Sequence, residues 1–354
     1  MSETASVDPE SPQRVIKEAG PLLTGQGDLA QVGWSRHPLL DCNLEEARFY
    51  RFRPVQRFRL KRWDHYGVTT PTTYFSATLA DVGYLGSVFV YTVDTSTGEY
   101  QEETLTIPLA RGIRLPRNSH EGESCFDNGR VRLSFQAERE IRRLGVSWPG
   151  FGRRGLRAEI LLRLPPSHES MTIVIPIGKK RFYYNRKVNC IPAEGWIERG
   201  EAREVLHTSR CLGNLDWGRG VWEFESSWVW ASASGYLEDG NTLGVNLGFG
   251  FGDTSAATEN AIIHNGKIHK LARVEFDYSS ADFVRPWRME APDGRLHLTF
   301  TPFNERVAKT DALLLRSEVH QMFGHYEGWV VLDEGERVEI RGLMGFAEEH
   351  RALW

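Results

Sequence analysis

Carboxylates set among tryptophans are the first residues of this chain with chemistry to offer. In LDWGRGVWEFESSWVWASASG, residues 215–235, Asp216, Arg219, Glu223 and Glu225 lie among Trp217, Trp222, Trp228 and Trp230. A carboxyl beside apolar rings is hard to ionise, and a raised pKa is what a general acid needs near neutrality. Asp216 is therefore the first candidate proton donor; the alternative is an Asp that caps the Gly218-Arg219-Gly220 turn or pairs with Arg219. In RSEVHQMFG, residues 316–324, strand alternation puts Glu318 and His320 on one face and Val319 and Gln321 on the other. A carboxylate beside an imidazole fixes its tautomer and makes it a base; the plainer reading is a salt bridge inside a barrel. His325 and Tyr326 follow Gly324 and are expected at the rim of a binding site. In TENAIIH, Glu259 and Asn260 take opposite faces. Glu259 is a further proton-transfer candidate because its face is otherwise apolar, Asn260 is a substrate-binding one, and exposure in a loop is the alternative for both. In GFAEEH, Glu348 shares a face with Met344 and Phe346, opposite Glu349.

These residues need strands to position them. On SSWVWASASG, Trp228 and Trp230 share one side, which Ser232 and Ser234 continue. Wide rings followed by small side chains leave a space, and a space inside a barrel is a ligand pocket; Trp217, Trp222 and Arg219 are expected to join its wall. Period-two segments recur along the chain, among them YFSATLADV, GSVFVYTVD, MTIVIPI, TLGVNLGFG and RLHLTFTPF. Between them EDGN, HNGK, PDGR and DEGE each offer a Gly for the positive φ of a tight turn. No stretch reads as a long capped helix, so the expected fold class is all-β, in barrels or sandwiches. Pro192 and Gly195 interrupt the pattern and suggest a division of the chain near residues 195/196. Residues 1–18, rich in Ser, Glu and Pro at their start, read as a mobile leader.

A length of 354 residues exceeds the usual single core, and a charge of -4 gives no polyanion binder. One basic stretch, RFYRFRPVQRFRLKRW, alternates arginines with aromatics in a way that can contact phosphates; the exposed face of a strand or hairpin is the favoured reading, and no nucleic-acid partner is expected. The four cysteines are spread singly, which signals neither a zinc cluster nor a disulfide framework and fits a cytoplasmic setting. No run approaches the ~20 apolar residues of a membrane helix. His264 and His269, like His320 and His325, are five apart and so fall on opposite faces of a strand; no metal and no cofactor is expected. A phosphate-binding glycine loop and a G-x-S-x-G nucleophile elbow are both missing from the sequence. The oligomeric state is left open.

The stretches FYYNRKVNCIPAEGWIERGEAREVL and GNLDWGRGVWEFESSWVWASASGYLEDG, with GLMGFAEEH near the C-terminus, resemble the junction and closing strand of carotenoid hydratases, AttH-like proteins and lipocalin-type Diels–Alderases. From residue 20 to 354 the chain is also similar to a bacterial family of two-barrel proteins, through GWSRHPLLDCNL, KRWDHYGVTTPTTYFS, TENAIIHNGKIHKL and RSEVHQMFG. The resemblance implies two successive lipocalin-like antiparallel β-barrels, residues 19–195 and 196–354, each with a mouth for a small molecule, and a Glu348 that points inward. LDWGRG stands where those relatives carry a Trp-x-Asp-His or Asp-Arg turn, and Phe346 where they carry Tyr.

The function expected is a cofactor-independent acid/base enzyme, a hydratase or dehydratase, isomerase or cyclase, acting on a largely apolar small molecule such as a terpenoid or polyene. Asp216, Glu318, His320, Glu348 and Glu259 are the candidates for proton transfer. The alternatives are a non-catalytic lipid or terpenoid carrier and a carbohydrate-active protein that uses tryptophans as stacking platforms.

Overall fold

The computed structural model describes residues 13–312 and 315–353, and the chain is all-β as expected. Helical content among these residues is three short 3-10 turns, Leu44–Glu46, Arg53–Phe58 and Phe151–Arg153. Two curled antiparallel sheets carry most of the rest, one of 13 strands and one of nine, and Gly20–Pro21 pairs with Leu40–Asp41 in a two-stranded parallel sheet. Most strands pair with their neighbours in sequence through tight turns. Asn265 and Gly266, both at positive φ, join Ala261–His264 to Lys267–Lys270, and Gly240, Gly294 and Gly335 take positive φ in the other three predicted turns. Two non-local pairings close the curls: Lys61–Thr69 with Leu212–Val221 in the first sheet, and Glu225–Tyr236 with Arg337–Leu353 in the second.

Each curl is filled. The first packs Tyr66, Val68, Phe135, Leu162, Tyr184 and Trp217 with their neighbours, and the second Val245, Trp287, Met289, Met322, Tyr326 and Leu343 with theirs. Burial on this scale, at ~25 cal/mol per Å2 of apolar surface, is what holds each curl closed. A strand has two faces, and the faces turned away from these cores meet in a seam. There Tyr74, Tyr91, Trp230, Phe323 and Phe346 form one apolar cluster, and Trp34, Ile175, Tyr183, Trp222 and Ile263 another.

Three local readings differ from the sequence expectation. Asp216 and Gly218 do not lie in a turn: Leu212–Val221 is a continuous strand with every residue buried, because both of its faces are covered. The interruption at residues 190–200 is a corner in one 18-residue strand, Phe182–Arg199, bulged between Val188 and Ile191 with Cys190 at φ 59°. The first half of that strand pairs with Met171–Pro176 and the second with Leu156–Arg163. The chain passes from the first sheet to the second at residues 222–224, later than the 195/196 division. The basic stretch forms an irregular segment around the 3-10 turn at Arg53–Phe58, where Pro54 fixes φ and removes a ladder donor; only its last residues enter a strand.

Residues 1–12 of the expected leader lie outside the described residues. Its remainder is tied down: the Ile16 N–H donates to the Trp34 carbonyl at 2.7 Å, and Gln13 Nε2 donates to the Leu271 carbonyl at 2.8 Å. Cys42, Cys125, Cys190 and Cys211 are buried free thiols. Among the described residues no helix is long and apolar enough to cross a membrane.

Candidate functional site

The sequence expectation placed a pocket inside a barrel, beyond Trp230 toward Ser232 and Ser234. That space is taken. Asn189, on the bulge of the first sheet, donates from Nδ2 to Ser232 Oγ at 3.0 Å, and the Cys190 N–H donates to Ser234 Oγ at 3.0 Å. Gly244 admits them, since a Cβ there would collide with Asn189 Cβ. The small residues are thus the seat on which the first sheet docks.

The hollow lies at the other end of the tryptophans, in the seam, as a cavity of about 540 Å3. Register explains its walls. On the first sheet Lys187, Asp216, His65, Thr78, Phe89 and Thr104 are successive cross-strand partners and form one row on one face. The adjacent row contributes Trp63, Ala80, Ser87 and Thr106. On the second sheet the facing rows are Trp230, Glu348, Gln321, Arg306 and Trp228, His350, Val319, Ala308. Tyr183, Trp222, Phe251 and Glu259 also line it.

Trp63 stands in this wall because residue 218 is glycine: a Cβ at Gly218 would fall within the Trp63 ring. Gly218→Ala therefore pushes the indole into the cavity, costs about 1–3 kcal/mol of stability and weakens binding of any ligand that fills the cavity. Denaturant melts and ligand titration of the variant check both effects.

One cluster of charges is centred on Lys187. Lys187 Nζ lies 3.3 Å from Asp216 Oδ2, 3.6 Å from Glu259 Oε2 and 3.5 Å from the Trp230 ring centroid. Asn185 Nδ2 donates to the other Asp216 oxygen at 2.6 Å. Asp216 thus lines the cavity as the anion of a buried ion pair, which is not the environment of a carboxyl left among apolar rings. Glu348 has that environment. Its Oε2 accepts from Gln321 Nε2 at 3.0 Å and its Oε1 lies 3.4 Å from Trp228 Nε1. Burial pushes its pKa up to about 7, against the pull of Lys187 and Arg306. Arg306 is held by Glu102 through two bonds, at 2.7 and 2.9 Å.

Two histidines join the walls uncharged. Burial brings His65 down to about 4 and His350 down to about 3. His65 Nδ1 pairs with Thr78 Oγ1 at 2.8 Å, which leaves its buried Nε2 without a hydrogen-bond partner. His350 Nε2 pairs with Ser317 Oγ at 2.8 Å, and its ring packs 4.0 Å from that of Trp228.

Asp216, Glu259, Glu348, Trp222, Trp228 and Trp230 are brought together as expected residues of one site. Others are placed elsewhere. Glu318 and His320 do pair, at 2.8 Å, but on the face opposite Val319 and Gln321, where Glu305 takes the second imidazole nitrogen at 2.6 Å and Phe283 stacks on the ring. Trp217 packs against Tyr184 in the first core. Arg219 lies over Trp217 and pairs with buried Asp64 at 2.8 Å. Asn260 accepts from the Gly248 N–H at 2.8 Å and donates to the Ala272 carbonyl, a structural role. Tyr326 donates to the Phe346 carbonyl inside the second core, and His325 lies beside Phe303. Sequence reasoning passed over Lys187, His65, Gln321 and His350. For Gln321 the signal was alternation itself, since it shares a strand with Glu318 and His320 but sits on the other face. Among the described residues no three of His, Cys, Asp and Glu are grouped to hold a metal ion.

Of the solved structures similar to this chain, a protein from Nitrosomonas europaea described as a "putative AttH" superposes with a TM-score of 0.52 at 15% identity, covering 83% of this chain and 93% of its own. That likeness shows a shared fold. The kievitone hydratase of Nectria haematococca superposes with a TM-score of 0.43 at 11% identity, over 83% and 88% of the two chains, too low to carry an argument. No curated protein sequence matches the chain. A family model matches residues 13–354, and the chain belongs to that family, the domain of unknown function DUF2804.

Proposed function

We propose that the seam cavity is the active site of a cofactor-independent acid/base enzyme, of the hydratase or dehydratase, isomerase or cyclase kind, acting on a largely apolar small molecule. One observation carries this reading: the Glu348 carboxyl is buried in the cavity wall against Trp228, and that burial raises its pKa to about 7. A neutral carboxyl at that pH can give its proton to an alkene carbon or a carbonyl oxygen. The cation that forms gains from the indole faces of Trp228 and Trp230 and from the nearby Asp216 and Glu259 carboxylates. His65, neutral and with Nε2 unpartnered, lines the same cavity and can hold an attacking water by a hydrogen bond.

A carrier would use the same hollow, but buried ions are costly to desolvate and add little to apolar affinity. The ion cluster at Lys187 therefore favours catalysis over carriage. The carbohydrate reading has less support, since Trp230 meets Phe346 edge to face and both lie in the buried seam cluster.

The test is native mass spectrometry of protein purified from its own host, followed by incubation of the retained molecule with the protein in D2O. The expected result is a product carrying deuterium on carbon. A molecule returned unchanged and unlabelled would make this protein a carrier.

A further inference from the structure

The stretch 47–63 holds seven Arg and Lys residues and no Asp or Glu, in a chain whose overall charge is -4. Its turn does not pack away its side chains. Arg51, Phe52, Arg53, Pro54, Val55 and Arg57 are all exposed, Phe52 by 67%, and Tyr50 and Phe224 add further exposed apolar surface. Among the described residues no carboxylate forms an ion pair with Arg51, Arg53 or Arg57; Arg57 lies over the Phe58 ring instead. An exposed phenylalanine flanked by unneutralised arginines is costly in water and suited to the boundary between anionic headgroups and acyl chains.

The segment also leads to the cavity. Arg59 donates to the Trp222 carbonyl at 3.2 Å and lies over Phe224, and Lys61 and Trp63 are cavity-lining residues on the strand that follows. Phe58 packs so closely on Gly83 that a Cβ there would collide with its backbone, which fixes the turn against the Val82–Gly86 edge of the cavity wall.

We propose that the Tyr50–Arg59 turn, with Phe224, is a docking surface for an anionic lipid bilayer. Phe52 and Val55 enter the acyl boundary, Arg51, Arg53 and Arg57 contact lipid phosphates, and the adjacent cavity wall faces the surface from which an apolar molecule arrives. A nucleic acid would use the same arginines but gains nothing from Val55 and Pro54. The inference does not depend on catalysis, since a carrier would need the same surface.

Flotation of the full-length protein with vesicles tests it. With phosphatidylcholine vesicles containing about one third phosphatidylglycerol, the protein floats at low salt and is released near ~1 M salt, where screening is about 3 Å; with phosphatidylcholine alone it stays behind. Replacing Arg51, Arg53 and Arg57 together by Gln lowers the partition about a hundredfold, the corresponding Lys variant keeps it, and Phe52→Ser lowers it on the order of tenfold. All of these positions are exposed, so an unchanged denaturation midpoint identifies the losses as surface effects. No flotation with anionic vesicles, equal flotation with phosphatidylcholine alone, or Gln and Ser variants that bind undiminished would each overturn the proposal. So would single-stranded DNA that displaces the vesicles and binds Phe52→Ser as well as the parent protein.

Discussion

Glu348→Gln lowers turnover of the cavity's molecule by about a hundred- to ten-thousand-fold and leaves its affinity within a few-fold. Gln fills the same volume and can still accept from Trp228 and pair with Gln321, but has no proton to give. The pH profile separates this from a general disturbance. In the parent protein the rate falls as pH rises through about 7, the point at which Glu348 ionises, and in the variant that limb is gone. Stability in the parent falls over the same range of pH. The folded pKa of Glu348 lies above its unfolded value, so the stability linked to its protonation is fully present below about pH 4.5 and is lost as pH rises through about 7. Above pH 7 the parent carries a buried carboxylate and the variant does not, a difference on the order of 3 kcal/mol in favour of Gln. Denaturant melts at about pH 5 and pH 8 measure it; a variant equally active, or less stable at pH 8 by that amount, would remove Glu348 from the role of acid.

The sequence made the strands legible because alternation and turn glycines are local. It placed Trp228 with Trp230, and Glu318 with His320, correctly on shared faces. Alternation divides a strand into two faces without saying which of them meets another sheet. For residues 315–331 the face with Met322 and Tyr326 fills a core, so His320 lies on the core side and Gln321 faces the cavity. In KRWDHYG alternation likewise separates Trp63 and His65 from Asp64 and Tyr66 without saying which pair faces a cavity, and it is Trp63 and His65 that reach the site. A site on the seam of two sheets is encoded by pairings far apart in sequence. Lys187, Asp216 and His65 become neighbours only through the register of three strands, and a lysine in NRKVN reads as a solvent-facing residue until both sides of its strand are known to be covered. Gly218 and Gly244 were equally hidden, as each is glycine to admit a side chain from a distant strand.

Lys187→Met should be the most damaging single change at the site, costing about 3–5 kcal/mol. The methionine keeps the apolar stem under Trp230 but leaves Asp216 and Glu259 facing each other without the cation between them. With the lysine side chain 4% exposed and that of Asp216 10%, water cannot replace it cheaply. The penalty is one of broken pairing, so neutralising the partners removes most of it: Lys187→Met combined with Asp216→Asn and Glu259→Gln should recover to within about 1–2 kcal/mol of the parent, as buried ion clusters exchanged for neutral groups commonly do. The same lysine acts on the acid. Its charge holds the Glu348 pKa down and Asp216 holds it up, so removal of Lys187 alone moves the alkaline limb of the rate above pH 7, and Asp216→Asn alone moves it below. Denaturant melts of the single and triple variants, with the pH profile of each, give the answer. A single variant as stable as the parent would show that the ammonium is not what holds the two carboxylates together. An alkaline limb that stayed at pH 7 in both single variants would separate the ion cluster from the acid it is placed to tune.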